Sequence, residues 1–215
     1  MTSEENEAGF SSINNIAEFK TINIYESIEK VAEELYYGVD GEIEGYSNAL
    51  EKYLEAYFLG SPTAAYTIGR IYLDGSCIKA DRDLAIKYFK LGILRKDDRC
   101  WVQLGHIYIN SNFKETVDAF LEYLNSDGIK TQLYHSSVDL EINVSTIFHT
   151  IFLYKKEKLH YDITEVEFSK IYNLLIPYKE LIINNIHSDL SYLDEVEDFS
   201  LIEVYENRLK YLMKE

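Results

Sequence analysis

Apolar side chains recur along most of this chain at every third or fourth position, the spacing of a helix with one buried face. The pattern breaks at residues that begin or end helices. Ser61-Pro62 predicts a helix start with proline at the first helical position, and Gly75 predicts the end of that helix. Asn112 with Glu115 three residues later indicates a variant of the capping box. The sequence therefore predicts an all-α protein.

The helical pattern repeats with a step of 36 residues. Tyr36, Tyr72 and Tyr108 are separated by this step, and so are Ala49 and Ala85 in the segment that follows each tyrosine. Two adjacent segments with one common step define a repeating unit of two helices. A hairpin of this size buries its apolar face by stacking on its neighbours, so the step predicts an array of helix pairs.

The segment that begins at residue 64 resembles the Sel1-like repeat, a relative of the tetratricopeptide repeat. The matching positions are Ala64, Tyr66, Ile68, Gly69, Tyr72, Gly75, Ile78, Asp81, Ala85, Tyr88 and Phe89. The resemblance extends over roughly residues 24–126. It implies a right-handed superhelix of antiparallel helix pairs, a TPR-like solenoid, and a role as a scaffold or adaptor.

The repeat units differ in their glycines and in loop length. The unit after residue 98 keeps a central glycine, Gly105, and its loop is expected to be about four residues shorter because Phe120 matches Tyr88 at a step of 32. Gly69 and Gly105 lie inside predicted helices, where glycine costs about 1 kcal/mol relative to alanine. We therefore expect each to mark a close helix crossing.

Three segments follow from these patterns. Residues 1–20 are polar and weakly periodic, residues 21–126 contain the helical repeats, and residues 127–215 are predicted to be a C-terminal helical cap that covers the end of the array. Within the cap, a long helix is predicted from Ser136 or Ser137 to about residue 158. Pro177 is expected to kink or split the following helix near its preceding residue.

The charge of the chain argues against nucleic acid as a partner. It has 21 Lys and Arg against 37 Asp and Glu, a formal net charge of -16, whereas proteins that bind phosphate backbones carry clustered positive charge. Seven acidic and no Lys or Arg side chains lie between Asp189 and Glu206. This run could attract a basic partner, or it could be a solvated helix face that maintains solubility.

Catalytic and metal-binding motifs are missing from the sequence. It contains no nucleophile elbow, phosphate-binding loop or dinucleotide fingerprint, and the five histidines do not have the spacing of a zinc site. Cys77 and Cys100 have no C-x-x-C partner. We therefore expect no catalytic residue, cofactor or metal. The chain has no membrane-length apolar run and an acidic N-terminus, which predicts a cytoplasmic protein.

Two groups of residues are candidates for binding a partner. The first group is two rows of first-helix positions related by the 36-residue step, Glu34, Arg70 and His106 in one row and Tyr37, Leu73 and Ile109 in the other. The second group is acidic, Asp194, Glu195, Glu197 and Asp198. A polar row beside an apolar row suits an extended peptide or a partner helix. The same residues could equally be ordinary exposed or packed positions.

The predicted function is protein binding without catalysis, by a chain that is expected to be a monomer. A more specific alternative is an acidic immunity-type or inhibitory protein that neutralises a basic toxin or nucleic-acid-handling enzyme. The resemblance also includes a cysteine-rich branch with hydrolase activity, but Cys77 and Cys100 lie in different helix pairs, which argues against it. A structural homo-oligomer that associates through the apolar row is a further alternative.

Overall fold

The protein folds into helices. A computed structural model describes residues 24–38, 46–75, 78–109, 111–131, 137–156, 164–195 and 199–213, and no strand occurs within these ranges. The helices are α1 (24–37), α2 (Tyr46–Phe58), α3 (Ala64–Asp74), α4 (Arg82–Leu94), α5 (Arg99–Tyr108), α6 (Phe113–Asn125), α7 (Asp127–Thr131), α8 (Ser137–Lys156), α9 (Glu165–Leu175), α10 (Lys179–Glu195) and α11 (Phe199–Met213). The predicted all-α class is confirmed. The predicted polar segment, residues 1–20, lies outside the described residues.

The chain divides into two compact units between Cys100 and Trp101. Unit 1 contains α1 to α4, and unit 2 contains most of α5 and all of α6 to α11. The predicted boundary between residues 126 and 127 has a different basis, because it marks where the repeat signature ends in the sequence. The extent of the repeats, residues 21–126, and of the cap, residues 127–215, stays a prediction. None of the helices described above is long and apolar enough to cross a membrane.

Helices α3 and α4 form an antiparallel pair in unit 1. Near the start of α3, Ala65 lies beside Gly92 at the end of α4. Towards the end of α3, the ring of Tyr72 stacks on that of Tyr88, with centroids 5.7 Å apart and planes 8° apart. Later positions on α3 therefore meet earlier positions on α4, as the helix-pair prediction requires.

Gly69 and Gly105, the two glycines predicted to mark close helix crossings, do lie at such crossings. A Cβ on Gly69 would lie 2.7 Å from Cε1 of Phe89, and a Cβ on Gly105 would lie 2.3 Å from Cε1 of Phe120. Both distances are far below van der Waals contact, so neither position has room for a side chain. The phenylalanine of the second helix occupies that space in each hairpin.

These contacts correct the predicted register of the shorter unit. Because Phe89 faces the first glycine and Phe120 faces the second, the two phenylalanines are equivalent at a step of 31. The N-cap residues agree, since Asp81 caps α4 and Asn112 caps α6. The step of 32 that pairs Phe120 with Tyr88 is wrong by one residue.

The ends of α3 partly match the prediction. Gly75 ends the helix in the left-handed conformation, with φ of 65°, and its N–H donates to the Ile71 carbonyl. The start differs, because α3 begins at Ala64 and Pro62 is not its first helical residue. Ser61 nevertheless caps the first turn, since its Oγ accepts the Ala64 N–H at 3.1 Å.

Two further predicted helix boundaries, at Asn112 and at Pro177, are confirmed. Asn112 Oδ1 accepts the Glu115 N–H at 3.4 Å, and its Nδ2 donates to the Glu115 carboxylate at 2.8 Å. This is a capping-box variant in which the amide side chain makes both bonds. Pro177 lies in a 3₁₀ turn, Ile176–Tyr178, that separates α9 from α10.

Arg95 joins the C-terminal ends of α2 and α4. Its Nη1 donates to the carbonyl oxygens of Tyr57 at 2.7 Å and Ser61 at 2.6 Å. The guanidinium also lies over the Tyr57 ring, 3.7 Å from the centroid. The Tyr57 carbonyl also accepts the Gly60 N–H at 3.0 Å, so Arg95 adds a second bond there and holds the turn after α2 against the end of α4.

The core of unit 2 is built around α8. This helix spans Ser137–Lys156 and begins where predicted, and its predicted end near residue 158 lies outside the described residues. Its buried side chains Ile147 and Ile151 are completely inaccessible to solvent. Phe120 and Tyr123 of α6 and Ile171 of α9 are equally inaccessible and belong to the same apolar cluster. Unit 2 is therefore stabilised by an extended aliphatic and aromatic core.

Candidate interaction surface

Two of the predicted binding residues are exposed on α1. Tyr37 is 71% exposed, and Glu34 is also exposed. The Tyr37 ring meets the ring of Tyr36 edge to face, with centroids 4.9 Å apart. This contact limits the freedom of an aromatic side chain that remains largely open to solvent.

Arg70 of α3 lies within electrostatic range of the α1 tyrosines. Burial alone would lower its pKa, but the Tyr66 phenol oxygen, the Asp74 carboxylate and the phenol oxygens of Tyr36 and Tyr37 raise the pKa above its usual value. The Arg70 guanidinium is also paired with Asp74 at 3.7 Å, in a bridge whose two side chains are exposed. Arg70 of α3 therefore interacts electrostatically with the exposed Tyr37 of α1.

Hydrogen bonds hold α1 against the start of α3. The Glu29 carboxylate accepts the Ser61 hydroxyl at 2.6 Å and the Thr63 hydroxyl at 2.7 Å. Ser61 is completely buried whereas Glu29 and Thr63 are half-buried, so these bonds are partly shielded from water, and the charge of the carboxylate strengthens them. The relative position of the two helices is therefore fixed near their N-terminal halves.

Tyr66, the other aromatic neighbour of Arg70, is held by a charged pair. The Arg99 guanidinium lies over the Tyr66 ring, 4.3 Å from its centroid. Arg99 also binds Asp97 through Nε at 2.9 Å and Nη2 at 2.7 Å, and Asp97 is completely buried. The sequence analysis did not include Tyr36 and Tyr66 among the candidate binding residues. They belong to neither of the two predicted rows of first-helix positions.

The remaining predicted positions are less open. Leu73 on α3 is half-buried. His106 and Ile109 belong to unit 2, where the His106 ring meets the Phe120 ring edge to face at 6.0 Å and burial lowers the pKa of the imidazole. Ile109 packs against the core of unit 2. These two side chains contribute to packing, so the exposed part of the predicted rows lies in unit 1.

The second predicted group, the acidic one, lies outside the part of the chain whose side chains are described. The side chains of Asp194 and Glu195, at the end of α10, lie outside the described residues, and so do Glu197 and Asp198. Their role as a binding patch stays a prediction.

The described part of the chain offers little reactive chemistry. It contains no group of three His, Cys, Asp or Glu side chains that could hold a metal ion. Cys100 is completely buried, and burial raises the pKa of its thiol well above the usual value, which suppresses the reactive thiolate. Cys77 lies outside the described residues. The surface of α1 and α3 is therefore the candidate site.

Comparison with known proteins finds similarity among solved structures. No protein-family model matches the chain, and no curated protein matches it. Among solved structures, the chain is similar to the crystal structure of Sel1 repeat protein from Oxalobacter formigenes, with a TM-score of 0.49 and 17% identity. The match covers 70% of this chain and 57% of that chain, less than two thirds of its length.

Proposed function

We propose that this protein is a non-enzymatic interaction module that binds another protein through the exposed face of α1 and α3 in unit 1. The proposal is supported by the exposure of Tyr37 on α1 and Arg70 on α3, together with the electrostatic interaction between these two side chains. Tyrosine and arginine are the residue types most enriched among side chains that dominate binding energy. Glu34 and Leu73 complete the face with a carboxylate and a partly accessible apolar side chain.

The charges of α1 favour a basic partner. Its exposed positions carry Glu26, Glu33 and Glu34 and a single cation, Lys30. Together with the net charge of -16, this supports the more specific version of the proposal, an inhibitory or immunity-type protein that neutralises a basic protein. Electrostatic attraction would then accelerate association and select the partner.

Changing Tyr37 and Arg70 to alanine together is expected to weaken partner binding at least about tenfold, the loss typical of removing an interfacial aromatic or arginine side chain. The partner is first captured from lysate of the source cells with the unmodified chain and identified by mass spectrometry. It is then purified, and its affinity for the chain and the double variant is measured by calorimetry.

A matched control changes one exposed cation and one exposed apolar side chain in unit 2. Lys114 forms a bridge to Asp118 at i,i+4, like Arg70 with Asp74, and Val166 is 77% exposed. Lys114→Ala with Val166→Ala should leave the affinity unchanged. Equal binding by the Tyr37 and Arg70 variant and the unmodified chain would contradict the proposed site.

The preference for a basic partner makes a separate prediction about salt. Affinity should fall steeply as the salt concentration is raised from low to molar, because screening removes attraction between exposed charges. Glu33→Gln with Glu34→Gln should reduce this salt dependence. Affinity that does not change with salt would exclude the electrostatic version and leave the α1 and α3 face as an uncharged recognition surface.

A further inference from the structure

Two carboxylates and an aromatic ring lie in a row along α1. Glu29, Glu33 and Tyr37 are each four residues apart, and this spacing places successive side chains on one face of a helix. Glu33 is exposed, and Glu29 is half-buried. Tyr37 is 71% exposed, and its ring is held edge to face against that of Tyr36. This row therefore offers negative charge next to an accessible aromatic surface.

Tyr53 of α2 brings a buried hydroxyl to the same row. The residue is only 3% exposed and belongs to the core of unit 1. Burial raises the pKa of its hydroxyl, and the Glu33 carboxylate, the Tyr37 phenol and the Glu29 carboxylate raise this pKa further. The Tyr53 oxygen therefore lies within electrostatic range of all three side chains. We call this group the acidic-aromatic site, which consists of Glu29, Glu33, Tyr37 and Tyr53.

Several oxygen atoms of the acidic-aromatic site are available to a ligand. Within the described part of the chain, the Tyr53 hydroxyl forms no hydrogen bond, and Glu33 forms no ion pair. Glu29 accepts the Ser61 and Thr63 hydroxyls through Oε1 alone, so its Oε2 remains available. Buried polar groups in proteins usually have partners, so the Tyr53 hydroxyl indicates that a ligand binds at this point.

The neighbouring cations of the chain do not neutralise the site. Lys30 is exposed, three residues before Glu33, and it forms no ion pair with the residues described above. Arg70, which interacts with the Tyr37 phenol, is paired with Asp74 at 3.7 Å. Carboxylates attract cations, and the face of an aromatic ring does so as well. The chemistry of the site therefore favours a cationic ligand.

We propose that the acidic-aromatic site binds one arginine side chain of the partner protein. A guanidinium has five N–H donors in one plane, so it can donate to the Glu33 carboxylate and the Tyr53 hydroxyl while it stacks on the Tyr37 ring. A lysine ammonium is a compact point charge and cannot stack in this way. This inference rests on the proposed function, because it names the group of the basic partner that unit 1 recognises.

The first test compares two tripeptides that differ only in the cation. Acetyl-Gly-Arg-Gly-amide and acetyl-Gly-Lys-Gly-amide are titrated into the isotope-labelled full chain, and the backbone amide signals of Glu33, Tyr37 and Tyr53 are followed by NMR. The Kd of the arginine peptide should be at least about threefold lower than that of the lysine peptide. Glu33→Gln and Tyr53→Phe should each raise it about fivefold, since each weakens or removes one hydrogen bond to the guanidinium.

Glu51→Gln provides the matched control. Glu51 is exposed on α2, two residues before Tyr53, and its replacement removes the same charge as Glu33→Gln. This variant should bind the arginine peptide like the unmodified chain. Tyr53→Phe removes a hydroxyl without a hydrogen bond, so its circular dichroism should be unchanged. Equal Kd values for the two peptides, or arginine binding that survives both Glu33→Gln and Tyr53→Phe, would overturn the proposal.

The purified partner separates this inference from the proposed function. The partner's affinity should also fall about fivefold for Glu33→Gln and for Tyr53→Phe. If the partner is lost by the Tyr37 and Arg70 variant but is bound normally by these two, the interaction face stands and the arginine site is refuted. If no partner depends on Tyr37 and Arg70, the proposed function fails, and the peptide titrations still decide whether the site binds arginine.

Discussion

Replacing Gly105 with alanine is expected to lower the free energy of unfolding of unit 2 by about 2 kcal/mol. The added Cβ would lie 2.3 Å from Cε1 of Phe120, and overpacking of this kind costs about 1–3 kcal/mol or more. The better helix propensity of alanine returns about 1 kcal/mol. The steric cost lies at the upper end of that range, about 3 kcal/mol, because Phe120 is completely buried and its ring has no free space to enter.

Trp101 provides the measurement. It is the one tryptophan of the chain, and it packs against the core of unit 2, so its fluorescence during urea unfolding reports on that unit. In a Phe120→Leu background the ring is gone, and Gly105→Ala should then cost much less. An alanine variant as stable as the unmodified chain, or equal losses in both backgrounds, would show that the close crossing does not limit this position.

The glycines also show what the sequence could establish about the fold. A glycine inside a helix pattern predicts a close crossing, and both predicted crossings exist because only a missing Cβ lets a phenylalanine ring approach. The step that relates the α5 and α6 hairpin to the α3 and α4 hairpin could not be determined correctly from the sequence. Thr116 occupies the small, buried position of Ala85, and its hydroxyl is satisfied by the Gly105 carbonyl at 3.1 Å, so a polar residue concealed the alignment.

The candidate site was predicted only in part. The 36-residue step placed Tyr37 and Arg70 on first helices, and both are exposed. The same step gave no means of distinguishing them from His106, whose ring is packed against Phe120. Periodicity identifies equivalent positions, but exposure depends on which helix covers each position.

A buried histidine in unit 2 is expected to make the free energy of unfolding of this unit depend on pH. His149 on α8 lies against α11, where Nη1 of Arg208 is 3.1 Å from its Nδ1 and the Tyr205 ring centroid is 5.3 Å from its own. Arg208 is only 6% exposed. A guanidinium can only donate, so Nδ1 of His149 must accept, and the imidazole is neutral with its proton on Nε2.

Acid should therefore destabilise unit 2 before most carboxylates are protonated. Burial, and then the charge of Arg208, lower the pKa of His149 from 6.5 to about 4. Between these values the unfolded chain binds the proton and the folded chain does not, so the free energy of unfolding decreases as the pH falls from 6.5 to 4. The full difference corresponds to about 3 kcal/mol.

His149→Gln isolates this contribution. The glutamine side-chain oxygen can accept from Arg208 but does not titrate, whereas every carboxylate is unchanged. Urea unfolding followed by Trp101 fluorescence, repeated between pH 7.5 and 4, should give curves for the two proteins whose separation changes by about 3 kcal/mol across that range. Parallel curves would mean that His149 binds its proton equally well in the folded and unfolded chain, which is incompatible with a buried imidazole that accepts from Arg208.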